Sequence, residues 1–229
     1  MNKGIYLLSH MRTGSTWLMH LLTTFYGNTT GGAYLKYKTP HSSKIINYLN
    51  NGYIVKAHRW GQYSFKEFNY PVVSIVRNPL DRFTSVYFRL KRTRNTSYNK
   101  AKRICFFSEK GDTQLLRMEK GFSTRTRDLN SSDIPYIWTT YEWLLKNPKK
   151  ELRAILNFLE ISYTSKDLNR ALERGNKNTK GTSNFRKGII GDWKNFIPKK
   201  DVKILIPFYE KYMEILKYEE NSRNNNNIR

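Results

Sequence analysis

The sequence predicts an α/β fold, a single domain with a mainly parallel sheet flanked by helices. Three observations carry that reading. Short apolar runs rich in Ile, Leu and Val alternate along the chain with stretches of helical period. Strands alternating with helices call for a mainly parallel sheet covered on both faces. A length of 229 residues supports one α/β domain with a real core and is too short for two ordinary ones. The domain is expected over residues 1–218, followed by a disordered polar tail at 219–229, "EENSRNNNNIR".

Taken in order, residues 4–9 (GIYLLS) read as a buried strand, and Trp17, Leu18, Leu21 and Leu22 continue as a helical stripe that stops near Gly27. Residues 28–51 are rich in Asn, Thr, Gly and Ser around one helix, after which 53–58 (YIVKAH) reads as a second strand. A third, strongly β-branched strand occupies 70–77 (YPVVSIVR), and Pro79 suits the first turn of the helix that follows. Residues 89–130 show no sustained period and read as irregular loops. The stretch 134–145 (IPYIWTTYEWLL) supplies a fourth strand and a helix start, Pro148 opens another helix, and further helices are expected at 165–174 and 201–217. In such a fold ligands bind beyond the carboxyl ends of the strands, which gathers the loop after strand one, His58 and Arg77 on one edge.

Composition narrows the partners. Lys and Arg number 41 against 18 Asp and Glu, a formal charge of +23 that attracts polyanions. The densest block, 89–103 (RLKRTRNTSYNKAKR), carries seven basic side chains and no acidic one, and reads either as a solvated cationic segment or as a binding surface. Cys105 is the only cysteine, which rules out an internal disulfide, a thiolate zinc site and a paired-cysteine redox centre. No apolar run reaches membrane-spanning length and the N-terminal residues do not form a signal-type segment, so a cytoplasmic protein is expected.

The stretch 6–22, "YLLSHMRTGSTWLMHLL", runs from strand through a Gly/Ser/Thr turn into a helix. Against the phosphate-loop pattern G-x-x-x-x-G-K-[ST], Gly14 and Thr16 fit, while Ser9 replaces the first glycine and Ser15 the lysine. Backbone N–H groups over Arg12, Thr13, Gly14, Ser15, Thr16 and Trp17, with the two hydroxyls of Ser15 and Thr16, still suit an anion at a helix start. Positive charge comes from Arg12, earlier in the loop than the usual lysine.

Three segments together carry a family resemblance. The 6–22 stretch resembles the 5′-phosphosulfate loop of the sulfotransferases that use 3′-phosphoadenosine 5′-phosphosulfate (PAPS), usually tyrosine–proline–lysine–serine–glycine–threonine–threonine–tryptophan. Residues 72–88, "VVSIVRNPLDRFTSVYF", resemble their 3′-phosphate segment, and 185–196, "FRKGIIGDWKNF", their R-K-G-x-x-G-D-W-K-N signature. The order and distribution match over most of the chain, which resembles a short, divergent member of the cytosolic type.

The resemblance implies that the loop is P-loop-like and holds the phosphosulfate of PAPS, and that a sulfonate moves to an acceptor hydroxyl or amine by in-line displacement. On that pattern Arg12 stands where a lysine normally supports the departing phosphate, and Lys56 and His58 (VKAH) match the lysine–x–histidine segment, with His58 as general base. Arg77 and Ser85 match the 3′-phosphate pair, completed by Arg186, Lys187 and Gly188, while Trp17 and Tyr141 match positions that contact adenine. No metal is required, because a sulfonate carries less charge than a phosphoryl group. Trp193 reads as a packing residue, and His10, His20 and His41 as structural.

Departures are equally legible. "LERGNKNTKGTSN" offers no further adenine-contacting aromatic, and Pro198, Lys199 and Lys203 replace the continuation of the family's dimerisation motif, so that dimer is not expected. Two rival readings exist. A P-loop kinase would want lysine at position 15 and carboxylates for magnesium, and neither is evident. A basic nucleic-acid-binding protein is suggested by the charge of +23 and by aromatics interleaved with the 89–103 block, without a recognised motif. The acceptor is not encoded in any motif; an anionic molecule or a glycan would suit the charge.

Overall fold

The computed structural model describes residues 4–26, 43–57, 69–106, 134–182, 185–203 and 210. In chain order its elements are β1 (Ile5–Ser9), α1 (Ser15–Tyr26), α2 (Ser43–Asn50), β2 (Ile54–Ala57), β3 (Val72–Val76), α3 (Pro79–Arg94), α4 (Tyr98–Phe106), β4 (Tyr136–Thr140), α5 (Tyr141–Lys146), α6 (Pro148–Phe158), α7 (Ser165–Lys180) and a 3₁₀ turn at Asp192–Asn195. They fall into two compact units, one drawn from Met1–Arg77 and Asp128–Arg186, the other from Asn78–Arg127 and Lys187–Arg229.

The first unit holds the sheet. Its four strands are all parallel in the order β2-β1-β3-β4, with Leu7 opposite Lys56 and Val73, and Val76 opposite Thr140. β1 and β3 are buried along their whole length, which is why both read as continuous apolar runs without alternation. The chain reverses its direction of travel across the sheet between β1 and β3, so the loops leaving those two strands diverge at the switch point where α/β sheets bind ligands.

Helices complete this unit for reasons local to each. The α1 stripe of Trp17, Leu18, Leu21 and Leu22 is buried against β1, β3 and α7 residues in one core cluster. Pro148 starts α6, and Leu152, Ile155 and Leu156 face the same core. A capping box opens α7: Asp167 N–H donates to Thr164 Oγ1 at 3.2 Å and Thr164 N–H donates to the Asp167 carboxylate at 3.0 Å. This helix outruns the 165–174 expectation by six residues because Gly175 lies against α1; a Cβ there would come within 2.6 Å of Leu21 Cδ2. The glycine serves as a contact surface in the fold.

The second unit corrects the expectation of irregular loops at 89–103. α3 continues to Arg94 and ends on Asn95, whose left-handed backbone (φ 45°) lets its N–H reach Leu90 O, and α4 follows at once. Its period was hidden by the basic residues on its exposed side. Tyr98 and Ala101 face inward to Phe83 and Leu80, and Asp201 accepts hydrogen bonds from Tyr98 Oη at 2.9 Å and Lys102 Nζ at 2.8 Å. Burial pushes the Asp201 carboxyl up, but these two donors outweigh it and hold it below the usual range. The expected helix at 201–217 falls mostly outside the described residues, as does the 219–229 tail.

Gly175→Val should overpack the α1–α7 contact at Leu21 and cost roughly 1–3 kcal/mol. Thermal unfolding should show a melting temperature lowered by several degrees, with helical content at low temperature unchanged.

Candidate active site

The loop leaving β1 has a backbone built for anions. Arg12 (φ 71°) and Gly14 (φ 93°) both adopt left-handed conformations with Thr13 between them. Such alternation turns successive N–H groups toward one side, and α1 begins directly after it at Ser15. Thr13 is buried and donates its hydroxyl to His10 O at 2.9 Å, which fixes the loop from beneath. Arg12 holds its left-handed conformation with a Cβ present, a strain of order 1–2 kcal/mol that a ligand-holding turn has reason to keep.

One aromatic ring backs the loop. A Cβ on Gly14 would lie 2.4 Å from Tyr141 Cδ2, so only glycine fits between loop and ring. The Arg77 guanidinium carbon sits 4.2 Å from the centre of the same ring, and Trp17 meets it edge-on at 6.0 Å. Trp17 Nε1 donates to Asn176 Oδ1 on α7 at 2.9 Å, which uses its one polar group and leaves the indole 8% exposed. Trp17 and Tyr141 therefore belong to the core as well as to the loop's surroundings.

Lys56, near the end of β2, extends to the same loop and donates to Thr16 Oγ1 at 2.8 Å. Burial, reinforced by the Arg12 charge, lowers its pKa to about 8. His20, one turn along α1 from Thr16, is likewise lowered, by burial first and then by Lys56 and Arg174. Cationic groups are thus concentrated at the start of α1, where the helix end already carries partial positive charge. What this arrangement does well is bind an anion and stabilise negative charge that grows on it.

The remaining sequence-predicted residues divide by unit. Arg77, 8% exposed, closes β3, and Arg186 is half-buried in the first unit. In the second, Ser85 is buried on α3, Gly188 has a positive φ of 67°, and the Lys187 ammonium lies 3.7 Å from the buried Asp192 carboxylate and 5.4 Å from the Phe196 ring centre. Trp193 packs beside the second unit's small core, as a packing residue should. His58 lies outside the described residues. Among the described residues no cluster of three or more His, Cys, Asp or Glu is placed to hold a metal, and no helix is long and apolar enough to cross a membrane.

Two participants escaped the sequence. Asn176 lies beyond the helix expected at 165–174, and only its position on a longer α7 brings it to Trp17. Asp81 follows Pro79 in the first turn of α3, where an acidic residue reads simply as favourable to the helix dipole. Its buried carboxylate instead accepts from Gly191 N–H at 2.7 Å and Trp193 N–H at 3.1 Å.

The sulfotransferase domain family matches residues 3–217. The fold is similar to that of mouse sulfotransferase SULT7A1 complexed with PAP, at 16% identity and a TM-score of 0.70 over 98% of this chain and 89% of that one. It is also similar to retinol dehydratase in a complex with retinol and PAP, at 13% identity and a TM-score of 0.67 over 93% of this chain and 81% of that one. No curated protein matches the chain in sequence.

A half-buried cation at Lys56 is costly to the folded state. Because the folded pKa lies below that of the unfolded lysine, the penalty is complete below about pH 8 and is relieved as pH rises toward the unfolded value. Lys56→Met should therefore melt at a higher temperature than the parent at pH 7, and the difference should shrink between pH 8 and pH 10 in a series of thermal scans.

Proposed function

The chain belongs to the sulfotransferase family, and on that footing we propose that it transfers the sulfonate of PAPS to an acceptor hydroxyl or amine. That it is a sulfotransferase enzyme of α/β fold rests on the family match and on structural neighbours that hold PAP. The donor and the residue roles are our reading of this chain. The observation that carries it is the loop after β1: left-handed backbone at Arg12 and Gly14, a ring at Tyr141 closing its back, and Lys56 reaching Thr16 with its pKa drawn down to about 8.

In this reading residues 12–17 cradle the 5′-phosphosulfate with backbone N–H groups and the Ser15 and Thr16 hydroxyls. The acceptor oxygen or nitrogen attacks sulfur, the bond from sulfur to the bridging phosphate oxygen breaks, and the acceptor proton passes to His58. Negative charge grows on the departing 5′-phosphate, where Arg12 and Lys56 oppose it. An anion at Thr16 would raise the Lys56 pKa from about 8, offsetting the burial and the Arg12 charge that lower it. Arg77, Ser85, Arg186, Lys187 and Gly188 take the 3′-phosphate, and Trp17 and Tyr141 flank the adenine.

No metal enters the scheme, since the charge to be balanced is met by side chains and backbone. The excess of cationic over acidic residues supports an anionic acceptor or a glycan, and the exposed Lys91, Arg92 and Arg94 at the end of α3 are the side chains that would meet it.

The product nucleotide, 3′-phosphoadenosine 5′-phosphate, should raise the melting temperature, because it binds the folded state alone. AMP, which lacks the 3′-phosphate, should do so far less, and Arg77→Ala should erase the difference between them; equal shifts with both nucleotides in the parent protein would overturn the assignment. Turnover is a separate matter. His58→Ala should reduce kcat by on the order of 10²-fold or more with product-nucleotide affinity nearly intact, as followed by transfer of labelled sulfate to an acceptor.

A further inference from the structure

The second unit contains a stripe along α3 formed by Asp81, Ser85 and Phe88. Spaced four and then three residues apart, they share one face of the helix. The segment Lys187–Phe196 is fastened to both ends of that stripe. At the N-terminal end the Asp81 carboxylate, 1% exposed, accepts from Gly191 N–H at 2.7 Å and from Trp193 N–H at 3.1 Å. One full stretch further along, Phe88 meets the Phe196 ring edge-on at 4.6 Å. Ser85 lies between the two anchor points.

The fastened segment could not take this path by itself. Gly188 and Gly191 have φ of 67° and 80°, and Asp192 is buried with Lys187 Nζ at 3.7 Å and Asn195 Nδ2 at 3.3 Å. Isolated left-handed glycines are free to adopt many other conformations, so some external tie must select this one. A buried carboxylate receiving two backbone donors is such a tie, because leaving either donor unpaired carries a full desolvation cost.

We propose that Asp81 is a positioning residue which, through Gly191 and Trp193, holds the Lys187–Gly188 backbone alongside Ser85 and so sets the enzyme's selectivity for a 3′-phosphorylated nucleotide. This rests on the donor reading above, in which Ser85, Lys187 and Gly188 serve the 3′-phosphate. Asp81 itself touches no substrate. It acts by fixing a glycine turn that would otherwise have to be ordered when the nucleotide arrives, a cost that would be subtracted from affinity.

Asp81→Asn keeps the shape but presents an amide that accepts at only one oxygen, leaving one of the two N–H groups without a partner. Binding of 3′-phosphoadenosine 5′-phosphate and of AMP should be measured by calorimetry below the melting transition of each protein. The expected result is a loss of about 10-fold or more in affinity for the 3′-phosphorylated nucleotide, with AMP affinity changed less than 2-fold, and in turnover a raised KM for PAPS with kcat retained at saturation. A role confined to stability would lower the melting temperature and leave the ratio of the two affinities as in the parent; that result would overturn the proposal. Should Asp81→Asn fail to fold, Gly191→Ala disturbs the same turn from its other side, where a Cβ meets nothing within 4 Å and only the positive φ is opposed, and an unchanged ratio there counts equally against it. If the parent protein itself does not distinguish the two nucleotides, the donor reading fails first, and that outcome is read from the parent alone.

Discussion

The Tyr141 ring occupies the place a side chain on residue 14 would need, and much of the first unit follows from that exclusion. Gly14 can approach because it has no Cβ, Arg77 lies over the ring, and Trp17 meets its edge. The loop after β1, the residue that closes β3 and the first residue of the helix after β4 are thereby held by one side chain. Three strand ends are coupled, and the conformation of the loop is decided by packing before any ligand is present. Preorganisation of this sort is what lets backbone N–H groups act on a charge without first having to be collected.

Electrostatics in the same unit run against stability. Burial first, and then the charge of Arg12 on Lys56 and the charges of Lys56 and Arg174 on His20, push both groups toward their neutral forms. A protein selected for stability alone would place an apolar residue at position 56, as β2 does at Ile54 and Val55, which are fully buried. The lysine instead bonds to Thr16, in the first turn of α1. That bond sets a cation beside the helix start, where the backbone N–H groups already carry partial positive charge.

How much of this was legible beforehand depended on the range of the interactions. The strands were legible because complete burial leaves unbroken β-branched runs, and α3 and α6 because Pro79 and Pro148 mark first turns. The Arg12–Thr16 loop could be recognised by its residue types, but not its left-handed arginine, since nothing local favours arginine at positive φ. α4 and the last turns of α7 were misread for one reason: basic and polar residues on an exposed face obscure the period, and the inward contacts of Tyr98, Ala101 and Gly175 are made with distant parts of the chain. Asp81 was invisible as anything but a favourable helix-start charge because both of its hydrogen-bond donors lie over a hundred residues away. Family resemblance supplied the roles; local physics supplied the scaffold.

The sheet order also dictates a sequence of events in time. β1, β2 and β3 are complete by Val76, and all three can pair as soon as that length of chain has left the ribosome. β4 and Tyr141 are made much later, so the ring that closes the back of the loop arrives after the loop itself has formed. During that interval the loop lacks the ring that packs against Gly14, while the local hydrogen bond from Thr13 to His10 O needs no later part of the chain. A polypeptide ending before Thr140 therefore carries the whole of residues 12–17 without the ring that packs against Gly14.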